Sequence, residues 1–436
     1  MRPSYLQQLA AAIRESLPSH LFTRIPLGRA ARWAPQRLAW VALMMAWDDG
    51  QTLAARFEHA REAAGEAHPH WRLGRSYAGF AAALTRLAGR LAPALAARLR
   101  SRTEEVAGRR WACGGWAAFA VDGTRVEAPR TAANEAGLGR AGRAKSPPQV
   151  ALTALWHLGA GLPWAYRLGP GTASERRHMA RMVAELPPGS MLVADAGFPG
   201  YPLCRRLILR GHSFLIRVGS NITLLRGLGY HREERRGLVY LWPARHRRWP
   251  PLVLRLIRLG AGAGAICLLT NVLDAGRLGD EAAAALYRAR WGEEVFHRSY
   301  KQTLRHRALL SRTAATCLAE AEWALLGLWL LGLLAAPRVV EAGGDPRRVS
   351  VAKARDAVRR ALRRGRPRRG AVRLDRELAA AQGDRCRRLS YKGSRDYPRK
   401  KKEKPPGSPK IRAATPAEVR RAAGLPPPKI SYQWTA

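Results

Sequence analysis

Short apolar runs alternate with helical segments between residues 116 and 218, and this alternation constrains the fold more than any other feature of the sequence. Five of the runs have the length of strands: residues 117–121, 150–158, 162–168, 190–194 and 213–218. Gly159-Ala160-Gly161 separates the second run from the third and predicts a hairpin. Helical periodicity fills residues 175–186 and 201–210. This order predicts an α/β fold with a mixed sheet covered by flanking helices.

The rest of the chain divides into regions on either side of this segment. We predict a helical N-terminal domain, the first part of the sheet core, a β-rich insertion, the second part of the core and a basic, partly disordered C-terminal region, at residues 1–112, 113–220, 221–278, 279–336 and 337–436. Residues 396–409 lack a core-forming pattern and are expected to be disordered when unbound. Arginines between residues 24 and 37 are compatible with DNA binding by the first region, but a plain helical subdomain with a charged surface explains them equally well.

The net charge points to a polyanionic partner. The chain carries a formal charge of +44 and has a pI of about 11.6, far beyond what solubility requires. Residues 337–436 contribute +20, from 29 Lys and Arg against 9 Asp and Glu, so the other 336 residues contribute +24. Because both the body and the tail are basic, nucleic acid is the leading partner and an acidic membrane surface is the second.

The most apolar run, residues 323–336, is 14 residues long and follows Glu320 and Glu322. A bilayer-spanning helix needs about 20 apolar residues, so we interpret this run as a buried core helix. This interpretation weakens the membrane alternative, and we expect no membrane partner. Residues 1–17 have an amphipathic helical pattern that contains Glu15, which differs from the pattern of a signal peptide.

The number and spacing of the cysteines indicate the redox compartment of the protein. The chain has five cysteines, widely spaced and without any Cys-x-x-Cys pair. Neither a disulfide framework nor a zinc site is indicated, and a reducing compartment fits. Together with the N-terminal pattern, this leads us to expect a cytoplasmic, nucleoid-associated protein of bacterial type.

Aspartate is scarce in the predicted core, and its two occurrences share one context. Between Asp49 and Asp274 the sequence has only Asp122 and Asp195, and each ends a predicted buried strand before a glycine-containing turn. The ends of adjacent strands are where α/β folds bind ligands. Either residue alone would more often be a turn former that caps its own backbone. Two of them, together with a glutamate on a later helix, favour a site.

A charged stripe is predicted on a helix at residues 280–301. At about 100° per residue, four polar residues share one narrow side of this helix: Tyr287, Arg290, Glu294 and Lys301. Phe296 points the opposite way, toward a core. The chain has 66 Arg and 10 Lys, and only Lys145 and Lys301 precede residue 353, which indicates a need for a compact point charge on the stripe. A solvated face with i, i+4 ion pairs is the alternative for such a stripe taken alone.

Three carboxylates in one place would repel one another unless cations neutralised them. The three are Asp122, Asp195 and Glu294. Mg²⁺ prefers carboxylates, waters and phosphate oxygens, and two such ions about 3.5–4 Å apart can assist an in-line phosphoryl displacement. On a basic, DNA-binding protein this chemistry favours phosphodiester cleavage, with the three carboxylates as catalytic metal ligands.

These residues resemble the motifs of a known family. The spacing Tyr-x2-Arg-x3-Glu-x6-Lys of the stripe is similar to the YREK signature of DDE transposases of the insertion-sequence-four group. Asp122-Gly123-Thr124 and residues 129–134 resemble the first catalytic block of that family, and Asp195-Ala196-Gly197-Phe198 resembles the second. The place of the β-rich insertion and the Tyr-Pro-Arg-Lys-Lys-Lys-Glu-Lys-Pro-Pro tail are also similar. The resemblance covers residues 117–409, and the first third of the chain is compatible with it.

The resemblance implies an RNase H-like fold and the activity of a cut-and-paste DNA transposase. Asp122, Asp195 and Glu294 would hold two Mg²⁺ or Mn²⁺ ions, the ends of the element would be nicked by hydrolysis, and the released 3′-hydroxyl would attack target DNA. The partners would be the terminal inverted repeats and target DNA, with a homodimer on the DNA because two ends are cut together. The family often has Arg where this chain has Ala196, so one phosphate contact is absent.

Further DNA contacts follow from the resemblance and from composition. Four residues on or beside the stripe are candidate phosphate contacts: Tyr287, Arg290, Arg298 and Lys301. In the insertion, Trp242 and Trp249 are candidates for stacking on an unpaired base, an interaction worth ~1–3 kcal/mol, although packing is the more frequent role of such residues. The arginines of residues 363–369 are expected to bind phosphates without reading sequence.

Two alternatives to the transposase remain open at this point. One is a metal-dependent nuclease of the same fold that cuts without strand transfer, and the other is a basic DNA-binding protein whose carboxylates are structural. Glu293 provides an internal control, because it lies about 100° from Glu294 on an ideal helix and its substitution is expected to be tolerated.

Overall fold

The computed structural model describes residues 4–26, 33–142, 146–231, 237–261, 265–363, 373–383 and 407–426. The chain divides into two compact units, each assembled from three segments. Unit 1 comprises Met1–Trp111, Asp122–Met182 and Trp291–Gly383, and unit 2 comprises Ala112–Val121, Val183–Arg290 and Asp384–Ala436.

The described part of the chain contains fourteen α-helices. In chain order they are α1 Tyr5–Ser16, α2 His20–Thr23, α3 Pro35–Trp47, α4 Leu53–Ala67, α5 Tyr77–Ala107, α6 Ala132–Leu138, α7 Glu175–Met182, α8 Tyr201–Leu209, α9 Asp280–Ala289, α10 Trp291–Arg298, α11 Ala314–Glu341, α12 Val351–Leu362, α13 Leu374–Ala379 and α14 Pro416–Ala423.

The strands begin after the first five helices. They are β1 Ala112–Cys113, β2 Trp116–Glu127, β3 Gln149–His157, β4 Leu162–Pro170, β5 Met191–Ala194, β6 Ser213–Val218, β7 Thr223–Arg226, β8 Leu238–Leu241, β9 Leu252–Leu259, β10 Ile266–Thr270 and β11 Lys410–Ala413. The predicted hairpin is confirmed as the antiparallel pair β3–β4, whose turn contains Gly161 at a φ of +65°. Strands β5 and β6 and helices α7 and α8 also lie where the sequence pattern predicts them.

Unit 2 is built on a mixed sheet. Its strands follow the order β11-β7-β8-β9-β10-β6-β5-β2, and β1 pairs with the start of β2. The pairs β2–β5, β5–β6 and β7–β11 are parallel, and the pairs between β6 and β7 along this order are antiparallel. The α/β class with a mixed sheet is therefore correct, and the region predicted to be β-rich contains β7 to β10.

The core of unit 1 surrounds α11, which contains the apolar run at residues 323–336. Trp329 on this helix is 0% exposed, and its Nε1 donates to Thr103 Oγ1 on α5 at 2.9 Å. Gly327 lets α3 approach closely, because a Cβ at this position would lie 2.6 Å from the Cβ of Ala46. Among the described helices, α11 is the one that could cross a membrane by length and composition, but 83% of its most apolar window is buried inside the protein. The prediction of a buried core helix is confirmed.

The prediction of a single helix at residues 280–301 is wrong in detail. Helix α9 ends at Ala289, Arg290 forms a turn, and α10 begins at Trp291. After α10 the backbone becomes a π-helix at Ser299–Thr303, which contains Lys301. The assumption of about 100° per residue fails across both irregularities, because a π-helix has a wider turn than an α-helix. The stripe is therefore not one continuous face of one helix.

The C-terminal region contains structure that the sequence analysis did not predict. Residues 384–406, which include most of the stretch expected to be disordered, lie outside the described residues. Strand β11 then pairs in parallel with β7, and α14 follows with a Thr415–Glu418 capping box. Glu418 is 3% exposed, and its carboxylate accepts hydrogen bonds from Arg412 at 2.6 and 2.7 Å and from Arg247. These hydrogen bonds to the buried Glu418 carboxylate hold the C-terminal segment at the edge of the unit 2 sheet.

The Glu418 cluster makes a pH-dependent contribution to stability. Hydrogen bonds from Arg412, together with the Thr415 backbone and the charges of both arginines, lower the pKa of Glu418 from 4.5 to about 2. Because the folded pKa lies below the unfolded one, the contribution is complete above about pH 4.5 and is lost as the pH falls toward 2. We expect the stability difference between the wild type and Glu418→Gln, measured by urea unfolding, to shrink as the pH is lowered from 7 to 3. A difference independent of pH would contradict this, and the exposed Glu281→Gln serves as the control.

Candidate active site

The two aspartates of the predicted site follow register partners in the unit 2 sheet. Val121 of β2 pairs with Ala194 of the parallel strand β5, and Asp122 and Asp195 are the next residues of the chain. Asp195 follows the end of β5 as predicted. Strand β2, however, continues to Glu127, so the prediction that a strand ends at Asp122 is wrong. The strand continues because Val126 is buried and the backbone of Glu127 bonds to Arg307 and Leu309 at 3.2 and 2.8 Å.

Each aspartate also makes the local bond of a turn former. Asp122 Oδ1 accepts from the backbone N–H of Gly123 at 2.8 Å, and Asp195 Oδ1 accepts from Gly197 at 2.8 Å. These contacts orient the two carboxylates relative to their own backbone. In each aspartate, one carboxylate oxygen therefore forms the hydrogen bond of a turn former. This bond is compatible with a second role of the carboxylate as a metal ligand.

Lys301 lies close to acidic groups of unit 1. Burial and the Arg307 charge lower the pKa of Lys301, whereas the charges of Glu127 and Asp122 raise it, and the net shift is downward. The side chain is half-buried. The structure therefore brings one predicted phosphate contact, Lys301, into electrostatic range of one predicted metal ligand, Asp122.

His297 is a residue of this region that the sequence analysis missed. It is 7% exposed, and burial lowers its pKa to about 4, with the Lys301 charge acting in the same direction and a hydrogen bond to the Asp122 backbone opposing both. The imidazole is therefore neutral near pH 7 and lies beside the Asp122 backbone. The Glu-x-x-His spacing from Glu294 to His297 could have identified this histidine from the sequence, because residues three apart are neighbours on a helix.

Helix α10 presents two predicted site residues to solvent. Glu294 and Arg298 are both exposed, whereas Phe296 is 3% exposed and packs on Trp156 with ring centroids 5.2 Å apart. The prediction that Phe296 faces the core is confirmed. Gly292 allows the close packing, since a Cβ there would lie 3.0 Å from the Trp156 Nε1. The side chain of Glu293 lies outside the described residues.

A further carboxylate, Glu175, packs against the backbone beside Asp122. A Cβ on Gly123 would lie 2.3 Å from the Glu175 Cδ, so a larger residue at this position would displace the Glu175 side chain. Glu175 also pairs with Arg125 at 3.4 Å. No sequence signal identified this residue, because its proximity to Gly123 arises from the packing of the start of α7 against β2.

Tyr287 and Arg290 lie at the end of α9 in unit 2. They are 6% and 7% exposed, and the guanidinium carbon of Arg290 lies 5.5 Å from the centre of the Tyr287 ring. The Tyr287 hydroxyl is buried without a hydrogen-bond partner among the described residues. A phosphate contact by either residue requires this end of α9 to open.

The two insertion tryptophans differ in exposure. Trp242 is 2% exposed and its Nε1 donates to the Trp249 carbonyl at 2.7 Å, so packing is the role that the structure favours for it. Trp249 is 40% exposed and lies in a groove of about 520 Å³, with the Arg205 guanidinium 4.2 Å from its ring centre. Of the two, Trp249 is the residue with a ring accessible to a base.

A known protein family is similar to the central part of the chain. Residues 117–330 match the family model described as Transposase DDE domain. This match supports a DDE transposase. Asp122, Asp195 and Glu294 all lie within the matched residues, as do the candidate phosphate contacts and both tryptophans.

Among solved structures, the chain is similar to a piggyBac transposase in a cryo-EM structure of its synaptic complex with hairpin DNA. The two share 12% sequence identity with a TM-score of 0.38, over 90% of this chain and 86% of the other. A TM-score of this size does not establish a shared fold. No curated protein matches the chain.

The match to a DDE-domain model raises the question of whether the predicted ligands fit divalent ions. The predicted ligands supply carboxylate oxygens, which are the donors that Mg²⁺ and Mn²⁺ prefer. Within the described part of the chain, however, no group of three or more His, Cys, Asp or Glu side chains is arranged as a metal site. The donor chemistry of the three predicted ligands, Asp122, Asp195 and Glu294, fits these ions. The four described cysteines are free.

Proposed function

We propose that this protein is a cut-and-paste DNA transposase, which nicks the ends of its element and joins the released 3′-hydroxyl to target DNA. The observation that carries the proposal is the DDE-domain match over residues 117–330, which contains Asp122, Asp195 and Glu294. The register pairing of Val121 with Ala194 supports it, because the two aspartates follow directly on these paired residues.

In this proposal Asp122, Asp195 and Glu294 hold two Mg²⁺ or Mn²⁺ ions. When bound, such ions activate the attacking hydroxyl and stabilise the leaving oxygen of a phosphodiester. Lys301 offsets the negative charge around Asp122, and neutral His297 holds α10, and with it Glu294, against the β2 backbone.

The DNA contacts in this proposal come from three places. Arg298 is exposed on α10 and suits a direct phosphate contact. Tyr287, Arg290 and Lys301 are proposed to contact phosphates once α9 and the π-helix have adjusted to bound DNA. In the insertion, Trp249 rather than Trp242 is proposed to stack on a base, because only Trp249 has an exposed ring.

The remaining parts of the proposal follow from the reaction. We propose an RNase H-like arrangement for the DDE domain, a homodimer on DNA because both element ends are processed together, and a cytoplasmic, nucleoid-associated location without a membrane partner. The charge of +44 supports the DNA partner.

The test is a strand-joining assay. The full-length protein is incubated with Mg²⁺, labelled DNA carrying the inverted repeats that flank its coding region, and a target plasmid. We expect both nicked ends and labelled plasmid, and chelation of the metal abolishes both products.

Each alternative has its own outcome in this assay. Nicked ends without joined plasmid identify a nuclease. DNA binding without either product identifies a DNA-binding protein with structural carboxylates. Either result overturns the transposase proposal.

A further inference from the structure

Unit 1 contains a cavity of about 60 Å³ that plays no part in the proposed reaction. It lies among α3, α4, α5, α11 and the chain near residues 306–311. Its apolar wall includes Leu53, Phe80 and Leu84, and its lining also contains the half-buried Ala81 and the exposed Thr85. A water molecule needs roughly 10–15 Å³ of such space. The cavity therefore has room for a ligand of about four to six non-hydrogen atoms.

Buried hydrogen-bond donors in the cavity wall lack partners. Trp323 is 3% exposed, and its Nε1 has no partner among the described residues. Arg56 lies in the same wall and is 7% exposed, and its Nε donates to the Gly50 carbonyl at 2.7 Å. A buried polar group without a partner costs free energy, so the Trp323 Nε1 favours a molecule in the cavity that accepts its hydrogen bond.

His306 adds a third polar group to the same wall. It is 2% exposed, and neither of its ring nitrogens has a hydrogen-bond partner among the described residues. The chain reaches this position through Arg305, whose φ of +58° is the one positive value among the described non-glycine residues. Backbone strain of this kind persists where the surrounding structure holds a side chain in place.

The cavity wall contains side chains of both charges, the cationic Arg56 and the anionic Glu320. Burial is the larger cause of the lowered pKa of His306, and the Arg56 charge acts in the same direction. The Glu320 charge contributes, after burial, to a Tyr77 pKa of about 12. The oxygens of Glu320 accept from the backbone N–H groups of Leu310 and Ser311 at 3.0 and 2.8 Å, which fixes the carboxylate in the wall.

We propose that this cavity binds a small amino acid in its zwitterionic form, of the size of glycine or alanine. Its carboxylate accepts hydrogen bonds from Arg56, Trp323 and His306, and its ammonium group lies beside Glu320 and Tyr77. A zwitterion complements a wall that contains one positive and one negative side chain. The short apolar part of the ligand contacts the apolar wall.

The test titrates the full-length protein with glycine and L-alanine by isothermal titration calorimetry. We expect saturable binding at one site per chain with a Kd at or below roughly 1 mM. Propionate lacks the ammonium group and propylamine lacks the carboxylate, and both are expected to bind at least about 10-fold more weakly. The indole N–H signal that disappears in Trp323→Phe is expected to shift with glycine in nitrogen-15 NMR spectra.

Two variants test whether glycine binds in this cavity. Ala81→Leu fills the solvent side of the cavity from a half-buried position, and it is expected to abolish binding while circular dichroism shows an unchanged fold. Glu320→Gln keeps an oxygen for the backbone N–H groups, and it is expected to weaken glycine binding at least about 10-fold while leaving propionate unchanged.

Three results would overturn the proposal. The first is no binding of either amino acid, which would mean that the cavity holds solvent. The others are binding of propionate or propylamine as tight as that of glycine, and unchanged glycine binding in Ala81→Leu. None of these results bears on the transposase proposal, because the cavity does not involve its residues.

Discussion

Glu294→Gln is expected to lower both nicking and strand joining by more than roughly 100-fold. The lower bound follows from metal sites in general, where loss of an outer-shell partner alone costs 10–100-fold and loss of a ligand costs more. Because the amide keeps the size of the side chain, the loss would reflect its charge and metal affinity rather than its packing. The rates of both products are measured at saturating Mg²⁺, and metal binding is measured separately by calorimetry.

The neighbouring Glu293→Gln is the matched control for this prediction. It removes the same charge one residue away in the sequence of α10, and it is expected to retain activity within about 3-fold of the wild type, the size of an ordinary surface effect. Equal losses in both variants would show that the net charge of α10 matters rather than the carboxylate at position 294. Unchanged activity in Glu294→Gln would remove this residue from the proposed site.

Trp329→Ala is expected to destabilise the protein by about 3–5 kcal/mol, the usual cost of removing a large aromatic side chain from a core. Trp329 is 0% exposed on α11, and its loss also leaves Thr103 Oγ1 without its donor. Urea unfolding followed by circular dichroism gives the free energy, with the slope of the transition checked for two-state behaviour.

Trp291→Ala is the control for the core substitution. Trp291 is 60% exposed at the start of α10, so its removal is expected to change stability by no more than about 0.5 kcal/mol. A loss in Trp329→Ala as small as this would show that α11 is not central to the core of unit 1.

Much of the secondary structure could be predicted from sequence because its signals are local. The alternation of apolar runs predicted β5, β6 and the β3–β4 hairpin, since strand period and turn composition depend on neighbouring residues. The apolar run at residues 323–336 predicted a core helix for the same reason. The scarcity of aspartate singled out Asp122 and Asp195 without any knowledge of contacts.

Other features depend on contacts between residues far apart in the chain. The prediction of one helix at residues 280–301 assumed a regular backbone, whereas the turn at Arg290 and the π-helix around Lys301 show that tertiary packing overrides local propensity. Likewise, the alternation that marks a strand does not reveal that Trp242 is buried and Trp249 exposed.

The sequence by itself determined the α/β class, the basic character of the protein and the identity of its candidate carboxylates, because composition, periodicity and motif spacing are properties of the chain. Tertiary structure alone decided that His297 and Glu175 lie beside Asp122 and that β11 pairs with β7, more than 180 residues apart. These arrangements depend on which surfaces become buried against each other when the chain folds. Local sequence patterns do not encode the partner of a buried surface, and for that reason only the folded chain reveals the surroundings of its candidate site.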